Sequence, residues 1–192
     1  MKIGCDLDGT VFQTYERMIE KYNLTHTDTI SSSIIMDFSQ LPSHQLLWVQ
    51  KYFTKIKSYF NIPPYPDAIP VLKKLSGSHN MIFITSRDET TRKISRYQLS
   101  KYGLTNPLYI VKREEKPYLG EALNIEVMIE DELGFAKSFY ERGIKIILLD
   151  RPWNQDKTLE NSYSSDWKRV YQWNEVYQII CELVKKKKGG EK

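Results

Sequence analysis

Apolar residues recur along the chain in two alternating rhythms. Short continuous runs suit strands covered on both faces, and longer segments with three- and four-residue spacing suit amphipathic helices. The first run, Lys2-Ile3-Gly4-Cys5, is followed by a helical pattern over 11–24 through Val11, Tyr15, Met18, Ile19 and Tyr22. A polar stretch rich in Ser and Thr over 25–33 reads as a loop, and 37–42 is ambiguous. A second helical pattern over 43–60 has Ser43 as its expected N-cap and is ended by Pro63, Pro64 and Pro66. Helix 67–75, strand 79–85, helix 88–102, strand 108–111, helix 116–123, strand 127–129, helix 133–142 and strand 144–149 follow in turn. Gly103 and Gly143 stand where helix C-caps are expected. Residues 151–167 are polar and read as loop, and 173–184 is a final amphipathic helix. Strands alternating with helices predict an α/β, Rossmann-like parallel sheet with helices on both faces.

In such folds the ligand lies beyond the carboxyl ends of the strands, so residues just after each strand become the candidates for chemistry. The first strand ends in Asp6-Leu7-Asp8-Gly9-Thr10. Successive strand residues face opposite ways, so Asp6 and Asp8 start on one side. Two adjacent carboxylates repel, and a shared proton, a basic side chain or a metal ion must offset that. A hard divalent cation such as Mg²⁺ suits oxygen ligands. The second strand ends in Thr85-Ser86-Arg87 and the fourth in Glu130-Asp131-Glu132. Lys112 and Lys116 lie between the third and fourth, and Asp150-Arg151-Pro152-Trp153-Asn154 follows the fifth. Hydroxyls and a lysine can hold phosphate, and clustered carboxylates can hold a cation.

The order of these residues resembles that of the haloacid-dehalogenase (HAD) phosphohydrolase superfamily. Asp6-Leu7-Asp8-Gly9-Thr10 is similar to its motif I, Ile82-Phe83-Ile84-Thr85-Ser86 to motif II, Lys116 to motif III and Glu130-Asp131 to motif IV. Lys112 is a rival for motif III; the distance of Lys116 from the acidic pair resembles the family better. The resemblance implies Asp6 as the nucleophile that forms an aspartyl-phosphate, and Asp8 as general acid and then base. It implies phosphate contacts from Thr85, Ser86 and Lys116. Mg²⁺ would be held by Asp6, the backbone carbonyl of Asp8 and Asp131. Glu130 departs from the commoner Asp or Gly at its position and is left as a group behind the metal ligands. Arg87 could pair with phosphate or with an acidic neighbour.

The insertion between motifs I and II, 13–64, is long enough for a small helical cap and too short for a large α/β one. The expected division is a core of 1–12 and 65–184, the cap, and a disordered basic tail of 185–192. The small cap, Thr85-Ser86, Glu130-Asp131 and the 150–154 segment together resemble the 5'(3')-deoxyribonucleotidase (NT5C-type) group. The implied substrate is a small phosphorylated compound, a nucleoside monophosphate, hydrolysed by a phosphatase of the 5'-nucleotidase type. A phosphatase for another small ester such as a sugar phosphate is the alternative, and a nucleic-acid-end phosphatase or binding protein is a second. Phe12, Tyr15, Phe38, Trp48 and Tyr52 lie in or beside the cap and could stack on a base. Trp48 and Tyr52, four apart on one helix, could instead pack together. Trp153 could wall the pocket.

Composition narrows the field further. The net charge of +4 is matched by Lys185-Lys186-Lys187-Lys188 alone, leaving a near-neutral body with scattered basic residues. A nucleic-acid partner is therefore not expected. No apolar run reaches transmembrane length, and the chain enters a strand directly, so neither a membrane span nor a secretory signal is expected. Two cysteines, Cys5 and Cys181, make no disulfide framework or zinc spacing and fit a cytoplasmic protein. Oligomeric state and base preference leave no trace in the sequence.

Overall fold

The structure, a computed structural model, describes residues 1–32, 38–156 and 166–189. Six strands form one parallel sheet: β1 (Lys2–Cys5), β2 (Asn80–Thr85), β3 (Leu108–Ile110), β4 (Val127–Glu130), β5 (Lys145–Leu149) and β6 (Trp167–Val170). They lie in the order β3-β2-β1-β4-β5-β6. The direction of winding reverses between β1 and β4, which pair through Ile3–Val127, Gly4–Met128 and Cys5–Ile129. A crevice at the carboxyl ends of such a pair is the usual ligand position in this architecture. The motif residues of β1 and β4 therefore meet there.

Both faces of the sheet are covered, which is why its strands are almost continuously apolar. On one face Ile3, Cys5, Met81, Phe83, Val127 and Ile129 pack against Val71, Leu72 and Leu75 of α3 (Ala68–Ser78), Ile94 and Leu99 of α4 (Arg92–Lys101), and Trp173, Val176 and Ile180 of α7 (Trp173–Gly189). On the other, Ile82, Ile84, Met128, Ile146 and Leu148 meet Leu119 of α5 (Lys116–Ala122) and Leu133, Phe135, Ala136 and Phe139 of α6 (Leu133–Tyr140). Helices α1 (Thr14–Thr25) and α2 (Ser43–Thr54) belong to neither layer. Together with Ile30 and Leu41 they enclose a separate apolar cluster of Met18, Tyr22, Val49 and Tyr52.

The glycines after α4 and α6 close those helices as expected, Gly103 at φ +75° and Gly143 at φ +76°. Ser43 is the first helical residue rather than the cap, and Pro42 holds the cap position. The pattern over 43–60 is broken after Thr54 and continues as a short 3₁₀ turn, Ile56–Tyr59. The expected loop over 151–167 lies partly outside the described residues, and its end is the start of β6. That strand is four residues long, and Lys168 and Arg169 interrupt its apolar pattern, as suits an edge position. The basic tail is corrected as well: α7 runs through Lys185, Lys186 and Lys187 to Gly189. Lysine has good helix propensity, and Lys187 Nζ reaches Glu126 Oε2 at 2.8 Å. Residues 190–192 lie outside the described residues.

Gly120 allows α5, and with it Lys116, to lie close to α6. A Cβ there would sit 2.5 Å from Phe139 Cε1 and 3.3 Å from Ile144 Cδ1. Gly120→Ala is expected to cost about 1–3 kcal/mol of stability by overpacking. Urea denaturation measures this, and an unchanged midpoint would contradict the close approach.

Candidate active site

Past Cys5 the chain leaves the sheet in a tight turn whose anchor is the Leu7 carbonyl, which accepts from the amides of Val11 and Phe12, both at 2.9 Å. Gly9 sits at φ +79°, and a Cβ there would stand 2.1 Å from Asp131 Oδ2 and 3.0 Å from the Trp153 ring. Glycine is thus required both by backbone conformation and by the approach of β1's turn to the end of β4. This contact brings Asp6, Glu130 and Asp131 together: one carboxylate oxygen from each lies within 4.8 Å of the others, and all three residues are buried.

One buried cation serves this cluster directly. Lys116, the first residue of α5, places Nζ 2.6 Å from Asp6 Oδ1 and also on Glu130 Oε1. Its ammonium lies 4.3 Å from the centre of the Phe135 ring. Glu130 turns its other oxygen to the backbone amides of Asp131 and Glu132, at 3.0 and 3.3 Å. Lys112, the rival for motif III, is exposed, whereas Lys116 is buried among these carboxylates. Asp131 accepts from the Thr10 hydroxyl at 2.6 Å on Oδ1 and from Trp153 Nε1 at 2.8 Å on Oδ2. Each of those oxygens keeps a further lone pair.

The charge balance within this cluster is unfavourable to the anions. Burial pushes the Asp6 carboxyl up from 3.8 to about 7, against the opposing charge of Lys116. Burial and then the charges of Glu130 and Asp6 push Asp131 well above the usual carboxylate range. Burial works against the Lys116 charge too, yet Asp6 and Glu130 hold it above the ordinary lysine value. Buried oxygen donors short of positive charge are the donor set that a hard divalent cation fits.

Asp8 is held by a different cation. Arg87 donates to it through Nε to Oδ2 at 2.7 Å and through Nη2 to Oδ1 at 2.6 Å, and the Thr14 hydroxyl donates to Oδ1 at 2.5 Å. Of the two partners expected for Arg87, the structure supplies the acidic one. Thr85 is buried at the end of β2, and its hydroxyl oxygen accepts from the Arg87 amide at 3.4 Å. Thr85, Ser86, Asp6, Asp8, Lys116 and Asp131 border a cavity of about 20 Å³. A second cavity, about 230 Å³, shares Asp8, Tyr15 and Ser86 with the first. Its lining includes Tyr15, Phe38, Phe53 and Tyr59, together with Arg87 and Arg113.

The aromatic expectations divide accordingly. Tyr15 and Phe38 line the larger cavity. Trp48 does not: it stacks on Tyr52 with centroids 5.3 Å apart and meets the Tyr22 ring edge-on at 5.1 Å, because residues four apart on α2 share a face. Phe12 is buried in the core. Trp153, expected as a pocket wall, lines neither cavity; it meets Tyr15 edge-on at 5.2 Å and holds Asp131.

Several supporting residues were not anticipated. Asn154 Nδ2 donates to the carbonyls of Asp131 and Leu149, each at 2.7 Å, and Arg169 on β6 braces Asn154 Oδ1 at 2.7 Å. Arg151 Nε donates to the Gly9 carbonyl at 2.7 Å, with its guanidinium 3.7 Å from the Tyr65 ring centre. Thr10, the last residue of the motif I run, holds Asp131. Ser95 and Gln98 hold Arg87. Only the polar residues after the fifth strand offered a sequence signal for this group; the others depend on contacts between distant segments.

Comparison with solved structures finds the same fold among haloacid-dehalogenase-like proteins. A haloacid dehalogenase-like family hydrolase from Streptococcus pneumoniae aligns with a TM-score of 0.66 at 18% identity, over 93% of this chain and 97% of that one. L-2-haloacid dehalogenase from Xanthobacter autotrophicus aligns with a TM-score of 0.62 at 11% identity, over 93% and 97%. The fold is thus the one shared by haloacid-dehalogenase-like proteins. Within that class the chain belongs to the family described as 5' nucleotidase, deoxy (pyrimidine), cytosolic type C protein (NT5C), whose profile matches residues 1–188. A curated nucleotidase of Clostridium acetobutylicum is 27% identical over 196 residues, covering 97% of this chain and 96% of the relative. Among the described residues no helix is long and apolar enough to cross a membrane.

The raised Asp6 carboxyl sets a pH dependence. The folded form binds its proton more tightly than the unfolded chain, so the stability tied to that proton is present below pH 3.8 and lost as pH rises through about 7. In chelator, the denaturation midpoint of the parent is expected to fall across this window more steeply than that of Asp6→Asn. Parallel pH profiles would contradict the charge balance described for the cluster.

Proposed function

We propose that this protein is a Mg²⁺-dependent nucleotidase that hydrolyses a nucleoside monophosphate through an aspartyl-phosphate on Asp6. The observation carrying this reading is the junction of two cavities at Asp8. The small one holds the carboxylate and lysine cluster, and the larger one is walled by aromatic rings. A phosphoryl group beside Asp6 would leave its organic portion toward Tyr15, Phe38, Phe53 and Tyr59, and such faces suit a nucleobase. Membership of a nucleotidase family supports the same substrate class.

Lys116 serves two ends in this reading. It orients Asp6 through Oδ1, and it offsets negative charge where a phosphoryl group meets a carboxylate. The other Asp6 oxygen attacks phosphorus, and the bond from phosphorus to the leaving oxygen breaks. Asp8 gives a proton to that leaving oxygen, then takes one from the water that cleaves the aspartyl-phosphate. Thr85 and Ser86, at the end of β2, donate to phosphoryl oxygens. The side chains of Asp6 and Asp131 and the carbonyl of Asp8 would hold Mg²⁺, whose charge supplies Lewis-acid neutralisation between phosphate and nucleophile. Glu130 stands behind them, fixing Lys116 and the turn after β4. Residues 13–64 act as the cap: Phe38 and Phe53 come from this insert, and Tyr15 begins it. In this account the cap supplies the specificity and the sheet edge supplies the chemistry.

Phosphate release from ribo- and deoxyribonucleoside monophosphates, measured beside sugar phosphates, tests the reading. Release is expected from nucleotides in Mg²⁺, with loss in EDTA and in Asp6→Asn. Lys116→Met is expected to lower kcat by about 10²–10³, the usual effect of removing one preorganised donor. Release from sugar phosphates alone would discard the nucleotide; full activity of Asp6→Asn would discard the mechanism.

A further inference from the structure

We propose that Arg87 is the positioning residue of Asp8, and that Ser95, Gln98 and Tyr59 brace Arg87 for this task. The proposal rests on the reading of Asp8 as the proton-transfer group. An arginine two residues past the motif II threonine would ordinarily be counted as an anion contact. Its surroundings point elsewhere. The Arg87 side chain is 1% exposed and that of Asp8 13%. Its Nε and one Nη2 hydrogen grip the two Asp8 oxygens, while Nη1 donates to Ser95 Oγ at 2.9 Å and to Gln98 Oε1 at 2.7 Å. Gln98 is itself fixed, because its Nε2 donates to the Tyr59 carbonyl at 2.6 Å. The Tyr59 ring covers one face of the guanidinium, 4.5 Å from its central carbon.

The consequence for Asp8 follows from counting lone pairs. Among the described residues Oδ1 accepts from both Arg87 and Thr14, so its two sites are filled, whereas Oδ2 accepts from Arg87 Nε alone. The paired bonds fix the plane of the carboxylate, and one acceptor site on Oδ2 stays open for a proton in transit. Asp8 lines both cavities, so that site lies at their junction. A lysine could supply the charge but not the fork, since only a planar guanidinium holds two carboxylate oxygens at once. Helix α4, which carries Ser95 and Gln98, packs on the sheet through Ile94 and Leu99, so the brace is anchored in the core.

The test is kinetic, on the full chain with Mg²⁺ and the best nucleotide of the panel. Arg87→Lys is expected to lower kcat by about 10–100-fold with KM changed less than about threefold, as expected for misplacement of a reacting group. In an Asp8→Asn background the same substitution is expected to cost less than about twofold, because the residue it positions is already disabled. Gln98→Ala, at a residue that lines neither cavity, is expected to lower kcat by about 3–10-fold and leave KM in place. It also serves as the test if Arg87→Lys does not fold. A raised KM with parental kcat in Arg87→Lys would make Arg87 a substrate contact, and an equal loss in the Asp8→Asn background would make it a general structural residue. Either result, or parental kcat in Gln98→Ala, overturns the proposal. Turnover by Asp6→Asn would instead count against the aspartyl-phosphate reading, which separates the two failures.

Discussion

The structure depends on how it tolerates three carboxylates at the end of two adjacent strands. Asp6 from β1 and the Glu130-Asp131 pair from β4 converge because those strands pair in register, and Gly9 permits the closest approach. Burial there disfavours charge, and Lys116 offsets only part of it. The surrounding framework serves to hold this arrangement in place. Thr10, Trp153 and Asn154 fix Asp131, while β6, through Arg169, fixes Asn154. A fold that spends core positions in this way retains a cluster with a deficit of positive charge. That deficit is what a divalent cation and a phosphorylated substrate would exploit together.

A second, separate layer surrounds Asp8. The two aspartates of the first motif lie two residues apart, yet their partners differ in kind. Asp6 meets a lysine, and Asp8 meets an arginine fork. Lysine is a compact point charge beside the carboxylate assigned to attack phosphorus. Arginine fixes orientation at the carboxylate assigned to move protons. Under the proposed mechanism, the division of labour would rest on two kinds of cation at one strand end.

Much of this was legible in the chain. Strands β1 to β5 were signalled by short apolar runs; the strand-end rule pointed to Asp6, Asp8, Thr85 and the acidic run at 130–132, and the family resemblance preferred Lys116 to Lys112. Strand β6 escaped because two charged residues interrupt four positions at the sheet edge. Trp48 and Tyr15 are both aromatic residues of the insert, and composition does not distinguish them. Only the packing of α1 against α2 turns Trp48 toward Tyr22 and Tyr52 and leaves Tyr15 beside Asp8. The roles of Ser95, Gln98 and Asn154 were illegible for a similar reason. Each acts through a partner far along the chain, at a separation that carries no local periodicity.

Asp6 and Glu130 share the buried cation Lys116, and Asp131 completes the carboxylate cluster, a donor set that would take up a divalent ion. Calorimetric titration of Mg²⁺ into the parent and into Asp131→Asn, at about neutral pH and without substrate, tests it most directly. The account predicts binding to the parent that is lost or greatly weakened in Asp131→Asn. Equal binding by both proteins would contradict it.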